Sequence, residues 1–166
     1  MGHSITALLV PEPYDERAAR AWDVVGVPLP AGLRLVHLDH YYSAYWQARR
    51  GVTARLDVPP DFPGTFPREG VVAELAAAVA GTTPSDELTF ALLMTDYFGG
   101  IGEQWACAFA AGNRVPSVRD INGVLRVLGV RAVAGSDEFD TVGLGQHRTS
   151  PAYLERYPDL CDELGV

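Results

Sequence analysis

The chain has 166 residues, 48% of them hydrophobic and 20% charged, the balance of one globular domain long enough to bury a core without disulfide or metal staples. Twenty-one acidic residues against thirteen basic ones give a formal charge of −8, a field that repels phosphate backbones and anionic lipid and so argues against nucleic acid or a membrane surface as partner. All thirteen basic residues are arginine, and the lack of lysine excludes Schiff-base chemistry, a pyridoxal-phosphate anchor and a phosphate-loop NTPase.

Ser4 to Val10 predicts a buried strand that ends at Pro11. Pro13 and Asp15 open a helix over roughly 14–25, with Ala18, Trp22 and Val25 at helical spacing and Gly26 just past its end. Pro28, Pro30 and Gly32 make a turn into a second strand, Leu33 to Leu38. Asp39 then caps a helix over about 40–50 that closes on Arg49, Arg50 and Gly51. Strand, helix and strand with a short crossover predict a βαβ unit over residues 4–50, its two strands parallel neighbours.

Residues 51–67 carry Pro59, Pro60, Pro63 and Pro67, which no regular element survives, and predict a long surface loop. A third helix is expected over about 68–80. Leu88 to Tyr97 and Gln104 to Ala111 flank Phe98-Gly99-Gly100-Ile101-Gly102, and Trp105, Cys107 and Phe109 alternate with alanines. That period of two predicts a β-hairpin over 87–112, with a strand, a glycine loop and a helix as the alternative. Ser117 is read as the cap of a fourth helix over about 118–128, Val130 to Val133 as a short strand, and Ser150-Pro151 as the start of a short helix that stops before Pro158. The expected fold is a single α+β domain, residues 1–166, with a mixed sheet of four or five strands (one βαβ unit plus a β-hairpin) and four or five helices.

Three constellations could carry chemistry. His37, Asp39 and His40 lie where a strand ends and a helix begins, the place at which ligands gather in open α/β sheets. Two imidazoles and a carboxylate there suit a divalent metal or a proton shuttle, whereas Asp39 as a plain helix cap is the bland reading. The run partly resembles the HxHxDH motif of the metallo-β-lactamase fold. Its first histidine position is Leu35, and His147 is the only histidine after His40, so that assignment fails. Tyr42, Tyr45 and Trp46 share a helix face that suits either core packing or a planar ligand.

The glycine-rich turn is the second constellation. A hairpin sets Asp96 and Glu103 across from each other near its tip, beside Tyr97 and Gln104, where two carboxylates can hold a cation or work as an acid/base pair. The third runs from Ser136 to Asp140 and on to His147-Arg148, where a tight glycine path lets the last two residues meet an anion. It does not follow the calcium-loop pattern. No nucleophile motif and no cofactor-binding motif is present.

Cys107 and Cys161 have neither CxxC nor zinc-ligand spacing, and two free thiols are expected. The N-terminus has no basic region followed by a long apolar run, and the most apolar stretch, Leu88 to Met94, is far too short to span a bilayer. A cytoplasmic protein is expected. The favoured function is a small acidic binding or interaction domain, immunity-type or regulatory, that masks a basic protein partner or holds a small ligand. Its ligand-binding residues are expected among His37, Asp39, His40, Asp96, Tyr97, Glu103 and Gln104. The alternative is a small hydrolytic or metal-assisted enzyme that uses His37, Asp39 and His40 with Asp96 and Glu103.

Overall fold

A computed structural model describes residues 2–82 and 87–166. Six strands form one sheet: β1 (Thr6–Pro11), β2 (Gly26–Leu29), β3 (Leu33–His37), β4 (Thr89–Phe98), β5 (Ile101–Ala110) and β6 (Asn113–Arg114). Their order is β2-β3-β1-β4-β5-β6, and every neighbouring pair is antiparallel. The class is α+β, as the sequence indicates, but among the described residues the sheet is not mixed, it has six strands instead of four or five, and six α-helices cover it.

The correction has one source. Pro28, Pro30 and Gly32 read as a turn, yet Gly26-Val27-Pro28-Leu29 is a strand that folds back onto β3 through Pro30, Ala31 and Gly32. That extra reversal turns β3 antiparallel to β1, with Ala7 opposite His37 and Leu9 opposite Leu35. The helix α1 (Glu16–Ala21) does cross over from β1 to a parallel strand, but that strand is β2, and β3 is inserted between the two. Pro28 is tolerated because β2 is an edge strand, where one row of amides needs no ladder partner. The opposite edge, β6, is only two residues long.

Aspartates start most helices, because a short carboxylate satisfies an amide of the first turn that has no partner within the helix. Asp15 accepts from Ala18 N for α1, Asp39 from Tyr42 N (2.8 Å) for α2 (His40–Arg49), and Asp120 from Gly123 N (2.8 Å) for α4 (Ile121–Val127). Asp120 thus caps the fourth helix in place of Ser117, which sits at φ 65 outside it. Asp137 does the same for the single turn of α5 (Glu138–Thr141). The helix α3 (Val71–Ala80) ends on a left-handed Gly81. Near the C-terminus a short 3-10 turn (Ala152–Leu154) precedes α6 (Tyr157–Leu164), and Pro158 lies inside the first turn of α6 instead of stopping a helix. Val130 to Val133 forms no strand.

Side-chain alternation gives the sheet two apolar faces, and each is covered. On one face Leu8, Val10, Val36, Leu92 and Cys107 pack against α1, α2, α3 and α6. On the other, Ala7, Leu9, Leu35, Leu93 and Ala106 pack against α4, with Val142 and Leu144 from the segment that follows α5. The proline-rich segment has no regular element, as expected, but it is no loose loop: Phe62 and Phe66 are buried in the first core. Arg68 fixes its path by donating to the carbonyls of Pro63 (2.7 Å), Phe62 (2.9 Å), Phe66 (3.2 Å) and Pro59 (3.5 Å). Tyr42, Tyr45 and Trp46 join Tyr157 in an aromatic cluster within that core, where Tyr42 donates its hydroxyl to the Trp22 carbonyl at 2.6 Å. Both cysteines are buried free thiols. Burial pushes the Cys107 thiol up to about 12, so it stays protonated and inert. No described helix is long and apolar enough to cross a membrane.

Candidate functional site

The β4–β5 hairpin outruns the layers that cover the sheet. Its inner rungs, from Ala91–Ala108 to Leu93–Ala106, are buried, whereas Asp96, Phe98 and residues 99–104 are exposed. The turn is two residues, Gly99 and Gly100, at φ 61 and 79. Positive φ at both central positions is the turn geometry whose twist matches that of a hairpin, and it is open to glycine at no steric cost.

Strand alternation gives this arm two different sides. Asp96 pairs directly with Glu103 and Phe98 with Ile101, and these two rungs point to the side that carries Leu92 and Cys107 further in. Phe98 and Ile101 are 81% and 82% exposed, an uncovered apolar pair at the end of the arm with two carboxylates two rungs behind it on the same side. Tyr97 and Gln104 point to the opposite side. There the Gln104 amide donates to the Tyr97 hydroxyl (3.0 Å), and its oxygen accepts from Ile121 N (2.8 Å), which joins the arm to the start of α4. Gly102 faces Tyr97 so closely that a Cβ would run into the Asp96 carbonyl.

The strand-end constellation divides among three places. His37 is 6% exposed on the sheet face that packs against α4, and its Nε2 makes no hydrogen bond to any described residue. Burial, and secondarily the neighbouring His147 imidazole, lower its pKa to about 4, so it is neutral at ordinary pH. Asp39 caps α2. His40 is half-buried, its ring 4.0 Å from that of Tyr41. His40 and Asp96 do line one cavity of about 300 Å³, together with Thr65, Trp105 and Ser150. His37, Asp39 and Glu103 do not line it. Among the described residues no three histidine, cysteine or carboxylate side chains are grouped so as to hold a metal ion.

A second cavity, of about 440 Å³, opens on the other side of the arm, lined by Tyr97, Gln104, Asn122, Asp137, Phe139 and Arg148 among others. His3 contributes to its wall and is fully engaged, with Nδ1 on the Thr95 hydroxyl (2.8 Å) and Nε2 on the Leu144 carbonyl (2.9 Å). The expected His147-Arg148 pair separates here: Arg148 lines the cavity, and His147 lies beside His37.

Sequence reasoning gave Phe98 and Ile101 no binding role, because it assigned them to the glycine-rich turn and looked there to the carboxylates. The signal that finds them is their position next to a two-residue turn, at the end of strands too long for the layers beneath them. His3 and Asn122 were also missed, and no local pattern in the sequence points to them, whereas Phe139 lies within the third constellation. No family model, no curated protein and no solved structure matches this chain.

Proposed function

We propose that this chain is a binding protein, immunity-type or regulatory in role, that docks onto a basic protein partner through the outer end of the β4–β5 hairpin. One observation carries the reading: Phe98 and Ile101 stand uncovered at the tip with Asp96 and Glu103 paired on the same side behind them. An apolar anchor flanked by negative charge fits a hydrophobic pocket rimmed by arginine or lysine. Like charges directly opposite in a sheet destabilise it, so the rung has no use in folding that would explain it. The net charge of −8 adds long-range attraction toward the same class of surface.

The test uses three immobilised baits: the wild-type chain, Phe98→Ser with Ile101→Ser, and Asp96→Asn with Glu103→Gln. The expected result is one basic protein retained by the wild type, lost from the tip variant, and held by the charge variant more weakly and with less salt dependence. The same proteins retained equally by all three baits would overturn the proposal.

A second reading, a small hydrolytic enzyme, is favoured by a single observation, the shared cavity of His40 and Asp96 beside the Thr65 and Ser150 side chains. It is the weaker of the two, because His37 and Asp39 serve the core and a helix cap. Hydrolysis of an activated ester that is lost in His40→Ala would favour it.

A further inference from the structure

We infer that the 440 Å³ cavity between the hairpin and α4–α5 is a binding site for a small aromatic carboxylate, with Arg148 as the anion-binding group. This goes beyond the docking proposal and uses the opposite side of the arm.

The argument starts from arginine placement. Four arginines are half-buried: Arg34, Arg68, Arg114 and Arg148. Arg34 reaches Glu12 (2.9 Å) and Glu16 (3.0 Å), and Arg114 reaches Asp57 (3.2 Å). Arg68 donates to four backbone carbonyls. Arg148 has one long bond, from Nη1 to the Gly2 carbonyl at 3.3 Å, and no carboxylate of the described residues lies within 4.0 Å of it. A guanidinium carries five donors, and withdrawing it partly from water without partners is costly. In a chain with 21 acidic residues, the half-buried arginine whose described partners come down to one long bond lines a cavity. A planar fork of free donors there fits a carboxylate or another small oxyanion.

The rest of the wall narrows the choice. The polar groups apart from Arg148 are tied to one another, which holds the cavity open and in shape: Gln104 to Tyr97 and Ile121, and Asn122 to Phe139 N (2.9 Å) and to Asp137 (3.2 Å). Phe139, Ile121 and the Tyr97 ring supply apolar surface for a planar body. Asp137 is ionised, its carboxyl held below the usual range by the Asp140 amide and Asn122. Its negative charge on the same cavity selects against dianions such as inorganic phosphate and in favour of a monoanion.

The test is a titration of the intact protein followed by amide chemical shifts, with 3-phenylpropionate, acetate, 3-phenylpropylamine and inorganic phosphate as probes. The expected result is a saturable response to 3-phenylpropionate alone, at millimolar concentration, centred on Tyr97, Gln104, Asn122 and Phe139. Arg148→Gln should weaken that binding about tenfold. Should that variant not fold, Arg148→Lys keeps the charge without the fork and should also bind more weakly, and Phe139→Leu should weaken binding with the charges intact. No saturable shift, an equal response to acetate, the amine or phosphate, or undiminished binding in the folded variants would each overturn the assignment.

Discussion

Asp96 and Glu103 lie directly opposite one another in the β4–β5 ladder, two rungs behind the exposed Phe98–Ile101 pair and on the same side. Two like charges on facing residues repel, so neutralising one should help the fold. Asp96→Asn and Glu103→Gln are each expected to raise stability by a few tenths of a kcal/mol, roughly the size of one cross-strand pair, with the gain shrinking as salt is added. Urea unfolding at low and high ionic strength measures both effects. A loss of stability in either variant would mean that the carboxylates do structural work.

The glycines of the turn are required for two separable reasons. Gly100 has φ 79, which asparagine tolerates and valine does not, so Gly100→Val should cost about 1 kcal/mol or more and Gly100→Asn clearly less. At Gly102 φ is ordinary and the obstacle is the Asp96 carbonyl, so asparagine should be as damaging as valine. The urea midpoints of the four variants distinguish the two patterns.

His37 makes folding depend on pH. Its folded-state pKa is about 4, against an ordinary 6.5, so between these values the unfolded chain binds more protons than the folded one. The contribution is fully present above pH 6.5, declines as pH falls toward 4, and levels off below. It amounts to a loss on the order of 3 kcal/mol. His37→Leu should flatten that part of the curve. At neutral pH it should be at least as stable as wild type, because the unpartnered Nε2 is gone. Stability of both proteins measured from pH 4 to 8 isolates the effect from the carboxylates, which both share.

Arg68 holds the proline-rich segment together, and Arg68→Met should lose at least about 2 kcal/mol, since four carbonyls lose a charged donor. Limited proteolysis provides the check: cleavage between residues 52 and 67 should become fast in the variant while the sheet resists. A variant as resistant as wild type would show that Phe62 and Phe66 alone anchor the segment.

Zinc, manganese and magnesium are expected to leave the melting curves of wild type and His40→Ala unchanged, because His37, Asp39 and His40 are turned to three different tasks. A rise in melting temperature with added ion, lost in His40→Ala, would revive the metal-assisted reading by mass action.

The hairpin was legible because its signal is local: Trp105, Cys107 and Phe109 alternate with alanine, and two adjacent glycines mark the reversal. The strand β2 was not, because Pro28 and Pro30 carry the local signature of a turn and only pairing with β3 makes a strand of them. That single omission also produced the expectation of parallel strands. The start of α4 was misplaced because Ser117 and Asp120 are both good caps, and the left-handed backbone at Ser117 decides between them. At the candidate sites, Tyr97 and Gln104 were found through the turn they flank. Arg148 was singled out only as part of a pair with His147. That no described carboxylate pairs with it is a relation among distant segments, which no window of sequence contains.

The two sheet edges have a consequence for how any partner is recognised. A proline on β2 blunts that edge against a foreign chain, whereas β6 pairs only with Phe109 and Ala110, so that among the described residues no strand lies beside the outer edge of β5 from Ile101 to Trp105; strand addition is disfavoured at one edge and open along the arm at the other. A partner held at the tip can then draw on the β5 backbone as well as on side chains, so a substitution of Phe98 or Ile101 removes one contribution and leaves the other.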